Sequence, residues 1–388
     1  MKRSLAVLAA LLLASCASAP QAPRDERYFH DALFAPPSEQ VTAAQVFALS
    51  PDMTKYLRDE IEKPARVKGR QNALFEALYR QGDLKLEYDS SMTRTAAEAF
   101  AAKSGNCLSL VIMTAALAKA LDLPVEYHKV IVDEEWSRSG DIYAAAGHVN
   151  LTLLHHRTDD VQVGYRVGKK PPESNGMTID FLPPEDIRGQ HLRPIGEDVV
   201  IAMFMNNRAV ESLARGRRED AYWYAREAIL QSPGYMVPYN TLGAVYRKHG
   251  NLPEAEAVLR FALSREPTNT QAMANLVTVL ADMGKVDESR KLAATLDRLE
   301  PEPPFGFYKR GMAAMRAGDL TTAKAMFERE LARQPDYHEF HFWLAVVDVG
   351  LGNNEEARKH LKLAMRNSTT RSDQDLYAAK LDRLNAIR

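Results

Sequence analysis

The chain has 388 residues, enough for two or three domains. With 46% hydrophobic and 26% charged residues it has the composition of an ordinary globular protein. A net charge of −1 argues against a nucleic-acid-binding surface, and two cysteines, Cys16 and Cys107, are too few for a disulfide framework.

Lys2 and Arg3 form a basic start, followed by a short apolar run from Leu5 to Leu13. That run is too short to span a bilayer as a mature helix, and it reads as a signal peptide over residues 1–16. Leu13-Ala14-Ser15-Cys16 resembles the lipobox of bacterial lipoproteins. The resemblance implies cleavage before Cys16 and acylation of that residue. With Ala17 after it, the same resemblance implies an outer-membrane lipoprotein facing the periplasm, its membrane contact being the lipid anchor. The other reading is an ordinary signal peptide cut near Ala17-Ser18-Ala19.

Residues 17–40 carry Pro20, Pro23, Pro36 and Pro37 with little apolar periodicity, and read as a flexible tether. From Val41 helical spacing begins. Ala44, Val46, Phe47 and Leu49 predict one helix; Met53, Tyr56, Leu57 and Ile61 a second; Ala73, Leu74, Ala77 and Leu78 a third. Thr93 to Phe100 predicts a further helix, leading to Gly105-Asn106-Cys107. The run from Leu108 to Leu121 has a single charge, Lys119, and predicts a buried central helix ended by Asp122-Leu123-Pro124.

Beyond it the period changes to two. Strands are predicted at Val125–Val132, Val149–Leu154 with His148 at its start, Val161–Val167 and Met177–Leu182, with a polar insertion from Glu134 to Tyr143. Helices followed by strands predict an α+β domain over residues 41–200, an antiparallel sheet packed on the central helix.

From residue 201 to 388 the pattern repeats. Pro233, Pro267, Pro301 and Pro335 are 34 residues apart. Gly216, Gly250, Gly284, Gly318 and Gly352 follow in phase, as do Ala221, Ala255, Ser289, Ala323 and Ala357. This is the tetratricopeptide period, and it predicts an all-α solenoid of about five repeats with a capping helix over 371–388. Asn240 and Arg247 fall at slots that usually face the groove, where either a protein or peptide partner or a plain solvated face is expected.

The chemistry candidates lie in the first domain. A cysteine in the first turn of a helix meets outward N–H groups and the positive dipole end, both of which favour thiolate. A small buried apolar cysteine is the plainer reading. Gly105-Asn106-Cys107, Gly147-His148 opening a strand, and Asp180 in a later strand resemble the transglutaminase-like, papain-like superfamily. The resemblance implies Cys107 as nucleophile, His148 as base and Asp180 as its orienter, supported by Gly105, Asn106 and Gly147. It implies thiol-dependent acyl chemistry: a peptidase, amidase or transglutaminase-type transfer. Val149-Asn150 stands after His148 where many members have a small residue and an aromatic. The alternative is a non-catalytic scaffold that uses both parts for protein binding. His128 beside Glu126, and His155-His156 ahead of Asp159, read as solvated polar residues rather than ligands. No motif calls for a metal or cofactor, and no nucleic-acid partner is expected.

Overall fold

The computed structural model describes residues 26–79, 84, 86–131, 136–139, 142–145, 147–154, 176–181 and 191–386. Cys16, the predicted strand at 161–167 and the His155-His156 pair lie outside these residues.

The α+β part opens with short helices: α1 (Ala43–Val46), α2 (Pro51–Tyr56), a π-helical stretch Leu57–Ile61, α3 (Glu62–Lys68) and α4 (Arg70–Tyr79). Ser50 caps α2, its hydroxyl accepting from the Met53 N–H at 3.1 Å, and Pro51 takes the first helical position, where no N–H is needed. Strand β1 (Glu87–Tyr88) pairs in parallel with β2 (Ser104–Gly105). Between them runs α5 (Ala96–Ala102), opened by a reciprocal Thr95–Glu98 capping box. The central helix α6 (Cys107–Ala120) follows, and every residue from Leu108 to Ala118 is buried.

Four strands form the main sheet: β3 (Val125–Ile131), β6 (His148–Leu154), β7 (Gly176–Ile179) and β8 (His191–Ile195), in the order β7-β6-β3-β8 and antiparallel throughout. Tyr127, Val149, Leu151, Leu153 and Ile179 are buried in the same core as α6. Alternation puts these side chains on one face of the sheet. The polar insertion is a hairpin, β4 (Trp136–Ser139) with β5 (Ile142–Ala145). Strand β8 was not predicted: it is exposed over its first four residues and contains Pro194, so it shows no alternation, and as an edge strand it tolerates the proline.

Eleven helices then run in antiparallel pairs: α7 (Glu197–Ala214) with α8 (Arg218–Gln231), α9 (Val237–His249) with α10 (Leu252–Arg265), α11 (Thr270–Asp282) with α12 (Val286–Leu299), α13 (Gly306–Arg316) with α14 (Leu320–Arg333), α15 (His338–Gly350) with α16 (Asn354–Asn367), and α17 (Arg371–Ala386) closing the end. All five phased glycines sit at positive φ, from 75° to 98°, where they terminate the first helix of each pair. The five phased small residues are all buried. At Gly311 a Cβ would lie 2.6 Å from the Phe327 ring, so α13 approaches α14 only because no side chain intervenes.

Two expectations change. Residues 26–40, within the expected tether, lie as a strap across the first two helix pairs, joined to residues some 170 to 220 positions away. Phe34 is buried against Tyr222, Ser38 binds Asp220, and Glu39 pairs with Arg208. Proline content and missing periodicity mimic a linker because the strap's apolar partners are in another part of the sequence. The boundary at residue 200 is also no physical break. One hydrophobic core runs from Phe34 through α6 and the sheet to Leu280, whereas Phe305–Val347 and Ala345–Leu384 form two smaller cores.

Candidate active site

The site is built from the start of α6 outward. Asn106 is the N-cap: its Oδ1 accepts from the Ser109 N–H at 2.9 Å and from the Ser109 hydroxyl at 2.7 Å. Its Nδ2 donates to Thr93 Oγ1 at 2.9 Å. The Ser109 hydroxyl in turn accepts from the Arg94 N–H at 2.8 Å. Gly105 is required by contact, since a Cβ there would stand 2.7 Å from Ser109 Cβ. These bonds hold the turn that presents Cys107, a half-buried free thiol at the first helical position. With the Ser109 N–H taken by Asn106, the remaining first-turn donors are the N–H groups of Cys107 and Leu108.

His148 opens β6 and Asp180 follows β7, and the β6–β7 pairing brings them together. His148 Nε2 lies 2.7 Å from Asp180 Oδ1, with both side chains almost wholly buried. Burial alone would push the imidazole down. The hydrogen bond to Asp180, the hydrogen bond and charge of Cys107, and the Asp180 charge reverse that and raise it to about 9. Asp180 takes Nε2, which leaves Nδ1 as the ring nitrogen free to meet another partner. His148 and Asp180 meet directly, and the Cys107 thiol acts on the ring electrostatically. Gly147 is exposed, and a Cβ there would find only ordinary contact, 3.8 Å from Met203, so geometry gives it no special role.

Asn150 is the site residue that motif reading missed. Its Nδ2 donates to Asp180 Oδ2 at 2.9 Å, so each carboxylate oxygen is held by one residue of β6. The signal was available in the strand period, because residues two apart project to one face. Asn150 lies directly opposite His128 on β3. His128 is buried rather than solvated, with Nε2 3.7 Å from Glu126. Among the described residues no group of three or more His, Cys, Asp or Glu is arranged to hold a metal ion.

The two expected groove residues also change. Asn240 is buried, and its Oδ1 accepts from Asn275 Nδ2 at 2.8 Å, tying α9 to α11. Arg247 is half-exposed and pairs with Asp282 at 2.7 Å. Both serve contacts between successive pairs rather than standing free for a ligand.

The tetratricopeptide repeat family matches residues 246–305 and again residues 308–371. The helices within residues 246–371 are tetratricopeptide repeats. A curated relative, the TPR repeat-containing protein PA4667 of Pseudomonas aeruginosa, is 30% identical over 129 residues, which are 33% of this chain and 22% of that protein. Among solved structures, TTC0263, a thermophilic TPR protein of Thermus thermophilus, is 19% identical with a TM-score of 0.31, covering 46% of this chain and 98% of its own. Pseudomonas aeruginosa pilF is 18% identical with a TM-score of 0.28, covering 48% and 93%. The family matches, residues 246–371, lie beyond the α+β residues that hold Cys107, His148 and Asp180.

Proposed function

We propose that the α+β domain is a papain-like, transglutaminase-like unit carrying out thiol-dependent acyl chemistry, on substrates brought to it by the tetratricopeptide repeats. The observation that supports this reading is the 2.7 Å contact of His148 with Asp180, with the Cys107 thiol raising the same ring's proton affinity. Such an arrangement keeps the imidazole charged beside the sulfur and orients it from behind. The Cys107 sulfur attacks the carbonyl carbon of an amide, forming a thioester as the C–N bond breaks. The His148 imidazolium gives its proton to the departing amine. Water or a second amine then attacks the thioester, returning its proton to His148 and releasing the sulfur. The N–H groups of Cys107 and Leu108 are placed by the helix start to receive the oxyanion.

Alkylation by iodoacetamide at neutral pH tests the site. Cys107 reacts in the native protein, and His148→Ala slows the reaction at least tenfold with the fold retained. A sulfur that reacts only on unfolding would remove the acyl-transfer reading.

The second reading is a scaffold that binds protein or peptide partners without chemistry. The family matches over residues 246–371 favour it, because such repeats present extended surfaces for partners. Partner capture unchanged by Cys107→Ser, together with an inert thiol, would select it. The sequence from Leu13 to Cys16 supports a lipoprotein anchored by Cys16 in the outer membrane and facing the periplasm. Mass spectrometry of the mature N-terminus checks this: acyl groups on Cys16 are expected, and an unmodified terminus near Ala19 would refute it.

A further inference from the structure

The strap is held as a bound peptide would be. It has two single helical turns, Glu26–Tyr28 and Asp31–Leu33, and no strand pairing. Side chains of the repeats grip its backbone: Tyr246 Oη donates to Tyr28 O at 2.6 Å and accepts from His30 N at 3.2 Å, while Trp223 Nε1 donates to Ala35 O at 2.8 Å. Contacts of that kind recognise an extended chain whatever its side chains.

Specificity comes from the buried Phe34 ring and two carboxylates, with Tyr28 packed beside Phe261 at 4.9 Å. Phe34 stacks on Tyr222 with centroids 3.9 Å apart and planes 4° from parallel, enclosed on its other sides by Tyr246 and His249. Asp31 accepts from Tyr222 Oη at 2.6 Å and from Arg226 Nε at 2.9 Å. Glu39 pairs with Arg208 and Arg217. Between the ring and Glu39, Pro36-Pro37 restricts the backbone to extended conformations, which lowers the entropy lost on docking.

We infer that the surface of the first two repeats covered by residues 28–39 is a peptide-binding surface, filled in the resting chain by its own strap, and that its partner is an extended segment of another protein carrying an aromatic ring flanked by carboxylates in the Asp31–Phe34–Glu39 pattern. The inference rests on the reading of the repeats as a partner-binding part and is independent of Cys107. The strap competes as a tethered ligand, whose effective concentration on a short linker is in the millimolar range. An incoming segment therefore binds weakly until the strap is released.

The test uses the full chain and a fluorescent peptide of residues 26–40, read by anisotropy, with light scattering on the same samples. Asp31→Asn with Phe34→Ala empties the surface. This variant should bind the peptide at least tenfold more tightly than the wild-type chain, and a peptide carrying Phe34→Ala should not bind. Equal binding to both chains, or no binding to a variant that melts like the wild type, would overturn the inference. So would collapse of the variant's fold, which would make the strap indispensable to folding rather than a displaceable ligand. Dimers appearing on release of the strap would assign the surface to a second copy instead. Repeats that capture no protein partner would defeat the broader scaffold reading yet leave the trans peptide result unchanged, so the two failures are distinguishable.

Discussion

Replacing Asp180 by Asn keeps the shape of the side chain and removes its charge. His148 is raised from 6.5 to about 9, a preference for the charged ring of about 3 kcal/mol. Asp180 provides the leading favourable contribution to that shift, and Cys107 shares the rest. The substitution should therefore forfeit about 1–2 kcal/mol of that preference. The sign follows from linkage. A base whose folded value is raised adds stability that is fully present below 6.5 and is lost as pH climbs through about 9. In the wild type, urea unfolding free energy should fall between those limits. In Asp180→Asn the fall should be shallower and shifted to lower pH, and stability near pH 7 should drop by about 1–2 kcal/mol. The imidazole resonances followed by NMR across the same range give the ring's titration directly. Superimposable profiles for the two proteins would refute the argument, because they would mean that the 2.7 Å contact does not bias the charge of the ring.

Gly105→Ala forces a Cβ against Ser109 and should cost about 1–3 kcal/mol in urea unfolding; an unchanged midpoint would show that the turn can shift freely. Asn240→Ala leaves Asn275 without its buried acceptor and should cost about 1–3 kcal/mol, whereas Arg247→Ala breaks a half-exposed ion pair worth at most ~1 kcal/mol. Equal shifts in melting temperature for these two variants would refute the distinction. In the last repeat, His341 and His360 face each other through their Nδ1 atoms at 3.0 Å, and burial pushes both below the ordinary histidine value. Their sign is opposite to that of His148: stability is present above 6.5 and is lost as pH falls below it. Hydrogen exchange across α15 should quicken between pH 7 and pH 5, and His341→Gln should blunt the effect.

Local signals dominate what the chain discloses before folding. The glycines that end the first helix of each repeat act within a single turn, so their 34-residue phase is plain in the sequence. The central helix was legible because no surface helix carries so long a run of apolar residues with a single charge. Cys107, His148 and Asp180 were legible only as a motif, since their meeting depends on the β6–β7 register. The strand period puts Asn150 on the face of His148, but its role becomes definite only with its acceptor, Asp180. The strap was misread for the same reason: Phe34 and Glu39 are satisfied by Tyr222 and Arg208, which no local pattern links to them. Asn240 occupies a slot that faces a groove in the general pattern, yet Asn275 on the next repeat covers it here.

The far end of the solenoid does not hang free. Ser90 donates its N–H to Thr369 O at 3.0 Å, and its hydroxyl reaches Thr369 Oγ1 at 2.8 Å. Ser90 follows β1 by two residues, and β1 is zipped to β2 immediately ahead of Asn106. A stack of helix pairs behaves as a spring, and a spring fixed at one end can lengthen or unwind alone. This one is closed into a loop by a clasp of exposed hydrogen bonds, each worth about 0.5–1.5 kcal/mol. Stretching the superhelix therefore strains the clasp first, and the tug arrives one short strand pair away from the thiol-bearing turn.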